Sequence, residues 1–489
     1  MGRKAVVLQW KRKELFYDER EGLFVKKILL LTIIVLVVLV GSIAFAQDDP
    51  LTYYQKAKIN WKAYEGTQIT IGLNKHPFTE SLRPLIPQFE QLTGIKVAYV
   101  ILPEEEFFEK LLIDLSSGGG IFDVYMTSPM FEWRYQYAGW IEDLNPFWNN
   151  PNLTDQAWYD RQDFYDKPLR ANMWDGTIGG GLGQGRWNAI PVMAEFFCQV
   201  YREDLREKWG LTVPTTYPDL LTTLTKAAEM GKQEKPQVYG VANRGIKSWS
   251  TVHSGYFTAF STYGQKDINP DLTAAINTPE AKKITQIWVD ILQKAGPPGW
   301  PNYTWYDAKQ NYAAGRFYEI TDCDFFAATY ENPAQSVVAG KNGYALPAAA
   351  EDGNITSNMW TWALGMSSLS KHKEAAWLFL LWATAPQTML DGTLRYDNFN
   401  PTRKSVWENP AVIEKTMKWG TEPGQYRKIV DDMYAKYGDI RWTPNPDVTT
   451  VGDFWAEALH EAYEGKKPVD QALDDAAAKI NEFMKKWKK

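Results

Sequence analysis

At 489 residues, 45% hydrophobic and 23% charged, the chain has ordinary globular composition and enough length for two domains. Its net charge of −6 excludes a protein that neutralises nucleic-acid phosphates with a basic face. With 22 Trp, 26 Tyr and 22 Phe it carries an excess of amphipathic aromatic surface, which points to stacking platforms.

The first segment, residues 1–46, has lysines before an apolar run from Ile28 and ends in Ala44-Phe45-Ala46 ahead of an acidic stretch. That layout predicts a secretory signal cleaved after Ala46, with an uncleaved membrane anchor as the alternative for so long an apolar run. The segment carries eight basic and four acidic side chains, so the remaining 443 residues hold −10.

Ile69, Ile71 and Leu73 alternate in "TQITIGL", a strand; Phe78, Leu82, Leu85, Ile86, Phe89 and Leu92 then recur at helical spacing up to Gly94. "IKVAYVIL" is a second strand, Glu104–Leu115 a helix ended by glycines, and "IFDVYM" a third strand. This β-α-β-α-β order is that of a parallel sheet covered by helices, whose ligands gather beyond the carboxyl ends of the strands. The loops "NKHPF" and "TSPMFEW" lie there.

Residues 145–186 are polar, aromatic and glycine-rich without G-x-G-x-x-G spacing, and are expected to form a mobile surface insertion. Alternation resumes with helices at Asp219–Gly231, Pro279–Gly296, Tyr306–Gly315, Glu374–Thr384, Asp453–Gly465 and Val469–Trp487. Strands are expected at "VYGVANR", "RFYEITDCDFF" and "YALP".

Cys198 and Cys323 are the only two cysteines, open to pairing or to burial as free thiols. "HEAYE" at His460 lacks the second histidine of H-E-x-x-H, so a zinc-protease site is excluded, and no phosphate loop occurs. No metal or cofactor is expected.

From about Gln68 to Phe483 the order of motifs resembles a family 1 extracellular solute-binding protein of ABC importers, a group similar to maltose-binding protein. The resemblance is carried by "ITIGLNKHPFTESLRPLIPQFEQLTGIKVAYV", "LLIDLSSGGGIFDVYMTS", "WNAIPVMAEFFCQVYREDL", "AAGRFYEITDCDF", "EAAWLFLLWATAPQ", "NFNPTRKSVWENP" and the closing "FWAEALHEAYEGKKPVDQALDDAAAKINE". It implies an α/β, two-lobed type II periplasmic-binding-protein fold with interleaved segments and a hinge. Lobe 1 would hold 66–194 plus 348–388, and lobe 2 would hold 198–345 plus 390–489. "VMAEFFCQV" would cross between them, with Glu195 at the hinge, and the glycine-rich insertion at 176–185 could cover the cleft mouth.

A sugar needs hydroxyl acceptors and donors plus aromatic platforms. Glu195 is the first candidate acceptor, a lone carboxylate in an apolar stretch, against the alternative of a satisfied hinge carboxylate. Asn74 and Lys75 follow the first strand, and Thr127 and Ser128 the third, where helix capping is the competing role. The resemblance adds Asp322 and Asp324, the platforms Trp249, Trp360, Trp362 and Trp455, and Arg403, which would line the second crossover or pin the hinge.

The expected function is a non-enzymatic, exported, monomeric binder that captures a sugar, by its aromatic content an oligosaccharide, and delivers it to a membrane permease without contacting nucleic acid. The rivals are a secreted glycoside hydrolase pairing Glu195 with Asp322 or Asp324, and a membrane-anchored receptor.

Overall fold

The computed structural model describes residues 51–488, of which 54–488 form one compact unit; the expected signal or anchor lies outside the described residues. Among the described residues no helix is long and apolar enough to cross a membrane.

Twelve strands are formed by the described residues. In chain order they begin with β1 (Gln68–Asn74), β2 (Lys96–Leu102), β3 (Val124–Thr127), β4 (Met173–Trp174), β5 (Arg186–Trp187) and β6 (Ala189–Phe196). They continue with β7 (Gln199–Arg202), β8 (Tyr239–Ala242), β9 (Phe317–Ile320), β10 (Asn342–Ala345), β11 (Ser357–Met366) and β12 (Gly438–Asp439). The first sheet runs β12-β11-β3-β1-β2 with β6 on β11, and the second runs β10-β7-β9-β8. These are the sheets of the two lobes, and β6 passes directly into β7, so one continuous stretch leaves one sheet and enters the other. β12 lies within the stretch expected in lobe 2, yet Gly438 and Asp439 pair in parallel with Ser357 and Asn358 of the first sheet.

Ile69, Ile71 and Leu73 are fully buried, as their alternation required. Between them Gly72 lets the helix Glu104–Ser117 lie close, because a Cβ there would stand 3.0 Å from the rings of both Phe107 and Phe122. The helix expected over Phe78–Leu92 is instead broken into Pro77–Leu82, the 3-10 turn Arg83–Leu85 and Ile86–Thr93. Pro84 and Pro87 each lack the N–H that a continuous helix would use. Gly94 closes it at φ +71°, a left-handed position that suits glycine.

The region 145–186 is tied down rather than loose. It contains short helices and the β4–β5 hairpin, and the buried Trp174 indole donates to the carbonyls of Thr177 (3.0 Å) and Gly180 (2.8 Å) inside the glycine-rich turn. β11 escaped the periodicity argument because all ten of its residues are buried, leaving no apolar–polar alternation.

Candidate functional site

The two sheets meet where β6 gives way to β7. Glu195 sits one residue from the end of β6, 5% exposed, beside Trp360 in the β6–β11 register. Its Oε1 accepts the Trp362 indole N–H at 2.7 Å, and its Oε2 accepts the Cys323 thiol at 3.1 Å. His76 Nε2 approaches Oε1 at 3.4 Å. His76 Nδ1 accepts the Phe78 amide at 3.2 Å as it caps the helix Pro77–Leu82, so the ring proton belongs on Nε2, facing Glu195. Burial lowers the His76 pKa, which favours that neutral form.

From the second lobe, Arg244 clasps Asp322 through Nε–Oδ2 at 2.9 Å and Nη2–Oδ1 at 2.7 Å, and its Nη2 also donates to Cys323 Sγ at 3.1 Å. A buried chain Asp322–Arg244–Cys323–Glu195–Trp362 thus spans the hinge.

These groups surround a chamber with an empty volume of about 310 Å³, space open to solvent included, lined by Glu195, His76, His253, Glu104, Arg244 and Cys323 together with Trp249, Trp305, Trp360, Trp362, Phe325 and Phe326. Trp249 and Trp360 stack with ring centroids 5.4 Å apart and planes at 19°. Two buried donors on the lining residues have no partner among the described residues, His253 Nε2 and Trp360 Nε1. His253 Nδ1 accepts from the Trp442 indole at 3.0 Å and faces the Asn358 amide at 3.1 Å, so Nε2 carries the proton. Burial holds the His253 pKa well below its ordinary value and keeps the ring neutral. Glu104, at the start of the helix Glu104–Ser117, accepts the Trp305 indole N–H at 3.1 Å on Oε2; burial pushes its pKa up to about 7. Tyr306 beside it donates to the Lys75 carbonyl at 2.6 Å. Both contacts join the two lobes across the cleft beside the chamber, Trp305 to the helix Glu104–Ser117 and Tyr306 to the bend that follows β1. Among the described residues no group of three His, Cys, Asp or Glu side chains is arranged to hold a metal ion.

The expected residues fall into three places. Glu195, Trp249, Trp360 and Trp362 line the chamber. Asn74, Thr127 and Ser128 lie buried at the carboxyl ends of β1 and β3, with both Asn74 amide atoms and both hydroxyls unpartnered, but do not wall the chamber. The Lys75 side chain is exposed, and only its carbonyl reaches across the cleft.

The other four do not line the chamber. Both Asp322 oxygens are engaged by Arg244. Asp324 accepts the Phe196 amide at 3.0 Å and the Asn400 amide at 2.9 Å. Arg403 is fully buried, donating to Thr384 O, Asp160 O and Asp163 while lying over the Tyr159 and Phe164 rings. Trp455 packs in the core against Phe257 and Phe260 and donates to the Tyr256 hydroxyl at 3.1 Å. The two cysteines are free and buried.

Sequence reasoning passed over His76, Glu104, Arg244, His253, Trp305 and Cys323. His76 stands in the loop "NKHPF" already singled out, and His253 four residues after Trp249, yet as scattered histidines they carried no spacing signal.

The model of the family "Bacterial extracellular solute-binding protein" matches residues 75–390. The chain is similar to an erythritol/L-threitol-binding protein of Mycolicibacterium smegmatis, 31% identical across 87% of this chain and 86% of that one. It is also similar to a mannitol-binding protein of Pseudomonas aeruginosa, 25% identical across 81% and 88%. The crystal structure of an ABC transporter solute-binding protein from Agrobacterium radiobacter, in complex with ribitol, superposes with a TM-score of 0.74 at 22% identity, covering 86% of this chain and 99% of that one. That likeness shows the two-lobed fold.

Proposed function

Because the chain belongs to the bacterial extracellular solute-binding protein family, we propose that it captures a small neutral polyol between its lobes and presents it to the permease of an ABC importer. The observation that carries this reading is the polar balance of the closed chamber. Neutral donors without partners, His253 Nε2 and Trp360 Nε1, share it with the acceptor Glu195. Hydroxyls both donate and accept, so a polyol meets all three. An anionic solute would face Glu195 and Glu104 with the lining arginine already committed to Asp322. The relatives named for erythritol/L-threitol and for mannitol support the same class.

The lobes are assigned as 66–194 plus 348–388 and 198–345 plus 390–489, with β12 returning to the first sheet. The ligand holds the closed state by touching both lobes, and release reopens the hinge. The protein acts as a monomer and without catalysis. Asp322 and Asp324, the partners a glycoside hydrolase would need for Glu195, are consumed by Arg244 and by the Phe196 and Asn400 amides.

A thermal-shift series with erythritol, L-threitol, ribitol, mannitol, maltose and glutamate tests the reading. A polyol at 100 times its Kd stabilises the fold by about 2.7 kcal/mol. A shift confined to glutamate or maltose would overturn it.

A further inference from the structure

Beyond the chamber, the cleft widens into a second space with an empty volume of about 1230 Å³ that includes its open mouth. Glu104, Trp249 and Trp305 line both spaces and therefore form the wall between them. Both tryptophans of the wall come from the second lobe and meet the first across the cleft. Trp249 has its backbone N–H held by Asp453 at 2.8 Å within its own lobe, while its ring stacks on Trp360 of β11 in the first sheet. Trp305 rides the first turn of the helix Trp305–Ala313, whose start is locked by the Thr304–Asp307 capping box. Its indole meets Glu104 of the other lobe at 3.1 Å, a bond that exists only while the lobes are together.

We propose that the Glu104–Trp305 pair is a length gate that restricts the protein to ligands ending at this wall; the inference rests on the polyol reading of the chamber. A longer ligand seated on Glu195 would run between the indole and the carboxylate, break their bond and hold the lobes apart. The outer space beyond it, lined by Phe108, Phe131, Arg134 and Glu109, has room for an added sugar ring but is cut off by closure. Trp305 and Glu104 are accordingly specificity-determining residues, and short-chain selectivity comes from closure and not from the hydroxyl contacts.

Two measurements test this. In calorimetric titration the wild-type chain binds a short alditol such as mannitol or erythritol at least 100-fold more tightly than maltitol, a hexitol carrying a glucosyl ring. Trp305→Ala narrows that ratio at least tenfold, and Glu104→Ala, which breaks the same bond from the other lobe, does so even if the tryptophan variant fails to fold. Equal wild-type affinity for maltitol, or a ratio unchanged in both variants, overturns the gate. A wild-type chain that binds no alditol overturns the polyol reading instead. The gate is then judged without ligand, by methanethiosulfonate labelling of Cys323, which lines the chamber, in a Cys198→Ser background. Labelling at least tenfold faster in Trp305→Ala or Glu104→Ala supports the wall, and equal rates refute it.

Discussion

Two neighbouring residues of the crossing strand face two buried acidic clusters, and the clusters could hardly differ more. On one side Glu195 meets Trp362, Cys323 and His76 at the edge of a void whose lining keeps two unpartnered donors. On the other, the Phe196 amide is bound by Asp324, which also takes the Asn400 amide, while Asn400 Oδ1 accepts the Tyr426 hydroxyl at 2.5 Å. Both hold a buried carboxylate, and both tie lobe to lobe. Only the first has hydrogen-bonding capacity left over beside empty space. A buried charge therefore marks a ligand site when its surroundings are incompletely satisfied, and a hinge clamp when they are complete.

The sharpest way to break this contrast is to delete each carboxylate. Glu195→Ala removes a charged acceptor worth roughly 1.5–3 kcal/mol and should weaken polyol binding by roughly 10- to 150-fold, measured by titration calorimetry. Asp324→Ala strands the Phe196 and Asn400 amides, at about 1–3 kcal/mol for each group. It should therefore lose roughly 2–6 kcal/mol in urea unfolding while the folded fraction keeps its affinity. Reversed outcomes would exchange the two roles.

A smaller effect isolates one donor of the chamber. Trp360→Phe keeps the stacking face but loses the indole N–H, which should cost about 1 kcal/mol, roughly fivefold in Kd, with melting temperature nearly unchanged. An unaltered Kd would remove Trp360 from the donor set.

The pH dependence is smaller still. Burial between the lobes raises the Glu104 pKa to about 7, with Glu105 and Glu195 pushing the same way and Arg244 opposing. Opening the cleft frees Trp305 from this carboxyl and returns its pKa towards the ordinary carboxylate range. The closed state thus binds the proton more tightly, so its advantage is complete at low pH and fades as pH rises through about 7. Polyol affinity should fall a few-fold, roughly, between pH 6 and 8, and Glu104→Gln should flatten that profile. A fall that survives in Glu104→Gln would assign the proton elsewhere. Least of all, Trp455→Phe should leave affinity within about twofold and cost about 1 kcal/mol of stability through its lost bond to Tyr256.

The sheet-forming logic of the first lobe was legible from Ile69, Ile71, Leu73 and the strands that follow, because one-sided burial imposes a period. The crossing at Glu195 was legible as well, since a lone carboxylate in an apolar run needs a partner. Its partners were not, because Cys323, His76 and Trp362 converge from strands and turns far apart in the chain. Asp324 and Trp455 fit the same residue types as a site and differ in being satisfied, and Arg403 differs in being enclosed by backbone carbonyls and aromatic rings, properties that need coordinates. The aromatic surplus is spent largely on packing, Trp133, Trp174, Trp187, Trp300, Trp377, Trp382, Trp407, Trp442 and Trp455 all being fully buried, so it could not size the ligand.

The central claim is that Glu195 and its unpartnered neighbours hold a small neutral polyol. Titration calorimetry of the wild-type and Glu195→Ala chains against erythritol, ribitol and mannitol tests it most directly. One site per chain for at least one of these, with affinity lost in the variant, is the predicted result. Undiminished binding by Glu195→Ala, or no binding of any polyol by the wild-type chain, would contradict it.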